Sequence, residues 1–441
     1  MQSEYEYSLI NLPCVTDLYD MINKNDFSSN YLKVQHVVDK ENNDPDSDSD
    51  SNYKIINYFK EFLTPELIPT YGMFRSVILN KKNEFISFSP PKSIPADSFI
   101  EKYSIKNLFV VVEEFIEGTM INVFWDKEQG FWEIATRNTL GANTYFFKNN
   151  NGNSKTFRIM FLEACIENNV NIALFNKNYC YSFILQHPEN RIVVPFLKPE
   201  LYLIAVYQIN NTNIKEVIIK SLHLDKIENH SNNVLKIYLG IENTSIKFPK
   251  KIDTNTTSYS ELIKLYASMN MPYDIQGIVI YNKSTGERTK IRNPVYEEVR
   301  QLRGNQPKLQ YQYLALRHEG KVSEFLKYYP ENKKEFSNYR DQVHLFTNNL
   351  FNNYISCFIK KEKPIIQYPL QFRKHMFYLH NKYLNELREI KGFITNTVVK
   401  KYVNELHPSL LMYTLNYSLR KRNLELFIGE KENKENSVCI D

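Results

Sequence analysis

The hydrophobic pattern of this chain changes period once, at Pro294, and that change narrows the folds open to it. From about Tyr53 to Asn293 apolar residues come in short runs between polar turns: FRSVILN, FISFSP, LFVVVEEF, MINVFWD, FWEIATRN, CYSFILQH, RIVVPF, LYLIAVYQI and DIQGIVIYN. Short runs rich in β-branched and aromatic residues read as strands. Two stretches, near 155–168 and 258–268, read as helices instead, and Ser258 with Glu261 three residues on forms a capping-box signature. After Pro294 the pattern is that of amphipathic helices, beginning with YEEVRQLRG, KLQYQYLALRHEG and VSEFLKYY and running to about Arg422. Gly304 and Gly320 stand where helix C-caps belong. The expectation is α+β: a domain of twisted antiparallel sheets with helices over residues 1–293, then an all-helical domain over 294–428.

Residues 1–38 are expected to hold a strand and a helix. DKENNDPDSDSDSN (39–52) is too acidic and too poor in apolar residues to bury a core, and reads as a disordered loop. The polar tail GEKENKENSVCID (429–441) is expected to be disordered too.

Several classes of function are excluded early. Glycine is scarce, 12 in 441 residues, and no P-loop or dinucleotide fingerprint occurs. Five scattered cysteines (Cys14, Cys165, Cys180, Cys357, Cys439) include no Cys-x-x-Cys pair, so neither a disulfide framework nor a zinc site is expected. His375 and His380 are five apart and would diverge on one helix, and no metal site is assigned. No apolar run approaches the roughly 20 residues that span a bilayer, and no signal-peptide pattern opens the chain. A cytoplasmic protein in a reducing compartment, without membrane contact, is the expectation.

Charge points towards nucleic acid. Residues 281–330 hold ten Lys or Arg against five acids, although the chain's net charge is only +5. Arg288, Arg300, Arg303, Lys308 and Arg317 line this region, with Tyr311 and Tyr313 between them. Cations follow a phosphate backbone while aromatic rings stack on bases, so the pattern suits single-stranded RNA. A solvated charged face explains the same residues equally well.

A series of motifs crosses the strand-rich region: YGMFRSVILN and EFISFSPPKS (71–93), EEFIEGT (113–119), IATRNTLGA (134–142), FILQHPENRIVVPF (183–196), LYLIAVYQI (201–209), DIQGIVIYN (274–282) and TKIRNP (289–294). In this order they resemble the phage-type RNA ligases that seal tRNA breaks, a branch of the covalent nucleotidyltransferase superfamily. The resemblance covers roughly residues 70–330. It implies an ATP-grasp-like ligase domain with a helical appendage that sets substrate choice, and a viral source.

The resemblance also implies roles. Arg75 and Lys92 would lie near nucleotide phosphates, although an exposed lysine after Pro90-Pro91 needs no such role. In EEFIEGT, Glu117, Gly118 and Thr119 match, but the position of the nucleophilic lysine holds Phe115, and a phenyl ring cannot attack phosphorus. The alternative reading is a core phenylalanine on an ordinary strand. Arg137 would reach substrate phosphate or ribose. Pro188 to Val193 match the most specific motif, with Asn190 and Arg191 retained, while the ribose-contacting acid is replaced by Ile184, which accepts no hydrogen bond. Tyr202 or Tyr207 is available to a base, with core packing the better expectation for at least one. Gln276 stands where a carboxylate helps to hold the metal, and a neutral amide is a poor ligand for Mg²⁺. Lys290 and Arg292 alternate on one strand and so share a face suited to phosphate.

Three charged groups of the family pattern are replaced by uncharged residues, at 115, 184 and 276, while four cations persist, at 137, 191, 290 and 292. The reading is a catalytically degenerate RNA-ligase-like protein that binds RNA ends or a nucleotide through a basic pocket. The alternative is an active RNA ligase or nucleotidyltransferase using ATP and Mg²⁺, with a displaced lysine such as Lys92, Lys283 or Lys290, or using pre-adenylated RNA.

Overall fold

The computed structural model describes residues 5–37, 53–146, 154–222, 224, 233–254 and 258–420. The acidic segment 39–52 and the tail 429–441 lie outside these. The chain forms two compact units, Met1–Arg300 and Gln301–Asp441. That division falls within the helix Pro294–Arg303, a little after the change of period at Pro294.

The first unit is built on three sheets whose ladders are all antiparallel. With strands numbered along the chain, the six-stranded sheet runs β1 (Glu6–Ser8), β11 (Glu216–Ser221), β10 (Glu200–Asn213), β9 (Tyr179–Gln186), β7 (Thr119–Asp126), β8 (Phe131–Ala135). A four-stranded sheet runs β12 (Lys251–Ile252), β6 (Val110–Glu114), β13 (Gly277–Asn282), β14 (Arg288–Arg292). A second four-stranded sheet runs β2 (Leu32–Val37), β3 (Tyr53–Tyr58), β4 (Val77–Leu79), β5 (Phe85–Ser87). Pairing of strands distant in sequence explains why short apolar runs spread over more than two hundred residues share few cores.

The six-stranded sheet is covered on both faces. Leu18, Ile55, Val77, Phe88, Phe124 and Ile219 belong to a core between the six-stranded sheet, the β2–β5 sheet and the helix Pro13–Lys24. The opposite face of the six-stranded sheet packs on the helix Phe157–Glu167 through Phe161, Phe183, Leu185 and Val206. Thr156 caps that helix by accepting the Ile159 amide, which satisfies one of its free N–H groups. The helix Tyr259–Tyr266 and the short helix Ala96–Lys102 cover the β6–β13–β14 sheet, with Phe99, Val112, Leu262, Ile278 and Ile280 buried between them. Ser258 and Glu261 form the expected capping box.

The second unit is helical throughout its described elements, with Lys333–Tyr354 its longest helix. Gly304 and Gly320 both adopt positive φ, 61° and 74°, beside helix ends, a conformation glycine reaches without steric penalty. Tyr313 is not a base platform. It is buried against Phe336 and Tyr339, because helical spacing turns it into the core of this unit.

Candidate functional site

Strand β13 places the site. It lies between β6 and β14, so the end of β6 and the inward face of β14 meet over it. Phe115 follows β6 and donates its amide to the Gly277 carbonyl at 3.0 Å. Gly277, at φ 125°, lets β14 approach: a Cβ there would stand 2.2 Å from the Ile291 carbonyl oxygen. Across β13, Lys290 reaches back so that its Nζ lies 4.6 Å from the centre of the Phe115 ring, while the Arg292 guanidinium lies 5.9 Å away.

These residues open on a cavity of about 120 Å³ between the β6–β13–β14 sheet and the six-stranded sheet. Arg75, Arg288 and Lys290 line one side, and apolar residues line much of the rest, including Met120, Ile184, Ile204, Leu222 and Phe248. Two carboxylates share the wall but have other partners: Glu113 accepts from the Tyr281 hydroxyl at 2.8 Å, and Glu114 from the Lys250 amide at 3.2 Å.

The cations crowd one another. Burial, then Arg288, Arg75, Arg292 and Lys92, lower the Lys290 pKa to about 5, so its amine is uncharged at neutral pH. Burial, reinforced by Arg288, pulls the Arg75 guanidinium down to about 10. Burial and the charges of Arg75, Lys60, Arg292 and Arg137 lower Lys92. Among the described residues Arg75, Lys92, Arg137, Arg288 and Lys290 have no carboxylate partner, whereas Arg292 pairs with Glu297 at 3.0 Å. The buried Nε of Arg137 and of Arg288 each lack an acceptor. Arg137 instead lies over the Tyr58 ring at 5.0 Å. Charges held this way, with donors left over, attract an anion.

The three neutral replacements behave differently. Phe115 and Ile184 line the cavity. Gln276 keeps its side-chain oxygen buried without a donor, and its backbone carbonyl accepts the Asn293 amide at 3.0 Å. The family resemblance implies a magnesium ion, and the residues present do not fit one. Gln276 is neutral, and the described residues contain no cluster of three or more His, Cys, Asp or Glu side chains able to hold a metal.

Glu117 and the PENRIV segment serve the frame rather than the cavity. The buried Glu117 carboxylate accepts the Val193 amide at 3.0 Å and the Val194 amide at 3.2 Å, and bonds the Tyr296 hydroxyl. Burial raises its pKa, against the pull of those donors. Asn190 donates to the Thr119 hydroxyl at 2.9 Å, and Arg191 to the Val193 carbonyl at 3.0 Å. Tyr207 is buried between Tyr7 and Phe88, while Tyr202 is half-buried beside Lys247.

Of the cations assigned to RNA, Arg300 bonds Glu297 in the first unit. In the second unit Arg303 lies over Tyr329, Arg317 donates to Asn404 at 2.7 Å, Tyr311 is half-buried and Lys308 is exposed. Arg288, expected on a basic surface, lines the cavity instead. Counting the alternation Lys290, Arg292 two residues back was the signal that places it on the same strand face.

No family model matches the chain. It is 25% identical over 276 residues to an RNA ligase of Rhodothermus phage RM378, a match covering 58% of this chain and 58% of the ligase. It is 26% identical over 328 residues to an immediate-early protein ICP-46 homolog of Invertebrate iridescent virus 6, covering 68% of this chain and 66% of that protein. The chain thus spans less than two thirds of the length of either relative. Similar solved structures include an archaeal ATP-dependent RNA ligase, with TM-score 0.38, 10% identity, and 75% of this chain and 76% of that one covered. Another is an RNA ligase of Naegleria gruberi, with TM-score 0.31, 13% identity, and coverage of 48% and 58%.

Proposed function

We infer that this chain, which belongs to the RNA-ligase type of covalent nucleotidyltransferases, binds a phosphate-bearing RNA end or a nucleotide in the cavity beside Phe115. The position from which such ligases attack phosphorus is inert here, so at that position the chain is a pseudoenzyme. One observation carries the reading: the charged Arg75 and Arg288, with the Lys290 amine beside them, face a single cavity, and no carboxylate pairs with them among the described residues. Like charges brought together at the edge of an apolar pocket repel, and an entering phosphate relieves that repulsion. The side chains of Ile184 and Met120 offer no acceptor to sugar hydroxyls, and Glu113 and Glu114 on the same wall already hold other partners, so phosphate charge is the dominant recognition feature.

The test is a titration of short single-stranded RNA at several salt concentrations. Counterion release predicts a log–log slope of about −0.7 for each phosphate neutralised, hence a slope near −1.4 for the two charged wall cations, Arg75 and Arg288. Absence of binding here and in a parallel titration with ATP, or binding indifferent to salt, overturns the reading. A second reading, nucleotidyl transfer from a displaced lysine, draws on the position of Lys290. In the described residues no helix is long and apolar enough to cross a membrane.

A further inference from the structure

Three lysines were open to a displaced role, and the structure separates them. Lys283 starts the turn after β13, at the far end of that strand from Gly277, where its amide bonds the Phe109 carbonyl. Lys92 follows Pro90-Pro91, its amide on the Gly72 carbonyl, and its side chain is not part of the cavity wall. Only Lys290 of the three lines the cavity, and it does so against the Phe115 ring. The wall's other lysine, Lys251, sits opposite Glu113 in the β12–β6 register.

Resting on the phosphate-binding reading above, we propose that Lys290 is a nucleotidyl acceptor, its Nζ attacking the α-phosphorus of a nucleoside triphosphate held in the cavity. The amine has then crossed one strand: it comes from β14 and stands over the ring that fills the lysine position after β6. A lysine becomes nucleophilic at neutral pH when it is desolvated or set beside other cations, and Lys290 meets both conditions. In the step, a P–N bond forms and the P–O bond to the β-phosphate breaks. Pyrophosphate leaves with the bonding pair, and the proton lost by the nitrogen passes to solvent, leaving a phosphoramidate. Arg75 and Arg288, on the same wall, stabilise the charge gathering on the leaving group. The Phe115 ring keeps water from one side of the amine.

The experiment uses the full chain with ATP or GTP labelled at the α- or, separately, the γ-phosphate, in Mg²⁺ or Mn²⁺, followed by a denaturing gel and peptide mapping by mass spectrometry. The expected result is a band labelled from the α-phosphate only, mapping to the Lys290 peptide. Lys290→Arg and Lys290→Met should each reduce it at least a hundredfold, while Lys283→Arg, outside the cavity, keeps it. No label on the wild type, label mapping to another residue, or label retained in both Lys290 variants overturns the proposal. RNA binding measured on the same wild-type sample separates the two readings. If binding persists without label, only Lys290's covalent role falls; if RNA and nucleotide both fail to bind, the phosphate-binding function falls as well.

Discussion

The Lys290 amine and the Phe115 ring, 4.6 Å apart, form one unit: the ring supplies an apolar surface, and burial, then the neighbouring cations, remove the amine's charge. This arrangement has a stability signature. The Lys290 pKa falls from 10.5 to about 5 on folding, so between those values the unfolded chain binds the extra proton. Stability therefore rises with pH across that window, and Lys290 lowers stability at neutral pH. Lys290→Met is expected to raise the melting temperature at pH 7, with the gain shrinking towards pH 10. Thermal melts at intervals from pH 6 to 10 check this; a gain independent of pH contradicts it.

Removing a fully charged wall cation tests recognition without touching the amine. Arg75→Met and Arg288→Met should each weaken single-stranded RNA binding by about tenfold, roughly 1.4 kcal/mol, and lower the magnitude of the salt slope by about 0.7. Lys24→Met, at an exposed i,i+4 pair with Asp20, should change neither. Fluorescence anisotropy at graded salt reads both quantities.

Glu117 should prove structural. Glu117→Ala leaves the amides of Val193 and Val194 and the Tyr296 hydroxyl without their acceptor, at a cost of about 3 kcal/mol. Urea unfolding measures that loss. If stability stays within experimental error while RNA affinity collapses, Glu117 belongs to the ligand site instead.

A lysine at position 115 should not by itself confer RNA joining. Phe115→Lys puts an amine back after β6, but Ile184 and Gln276 still lack the acids, and the new amine faces Lys290 and Arg292. Joining of nicked or single-stranded RNA by that variant above background refutes this account of the cavity.

Gly277→Ala should disrupt the pairing of β13 with β14. Its φ of 125° and the Ile291 carbonyl 2.2 Å from an added Cβ give strain of roughly 3 kcal/mol or more. Circular dichroism melts report the loss.

The α+β class, most of the strand runs and the Ser258 cap were legible because they depend on local spacing. RIVVPF (191–196), read as a strand, is not one, because the amides of Val193 and Val194 go to the Glu117 carboxylate instead of a ladder. The cation cluster was legible only in part. Lys290 and Arg292 share a face by simple alternation, but the meeting of Arg75 with Arg288 depends on β4 and β14 belonging to different sheets, which no local pattern encodes. Tyr313 was misread for the related reason that aromatic spacing on a helix looks the same whether its face meets a base or a core. Glu117 shows a further limit: a motif acid is visible as a letter, while its partners lie more than seventy residues along the chain.

The hold of Glu117 on Val193 and Val194 bears on how lineages of such proteins are to be read. An acid that pins a distant turn is kept by selection for folding, whatever becomes of the reaction. In this chain the Glu-Gly-Thr and Pro-Glu-Asn-Arg signatures hold each other in place whether or not the cavity reacts. A survey that counts those signatures alone therefore tallies inherited scaffolds together with working ligases.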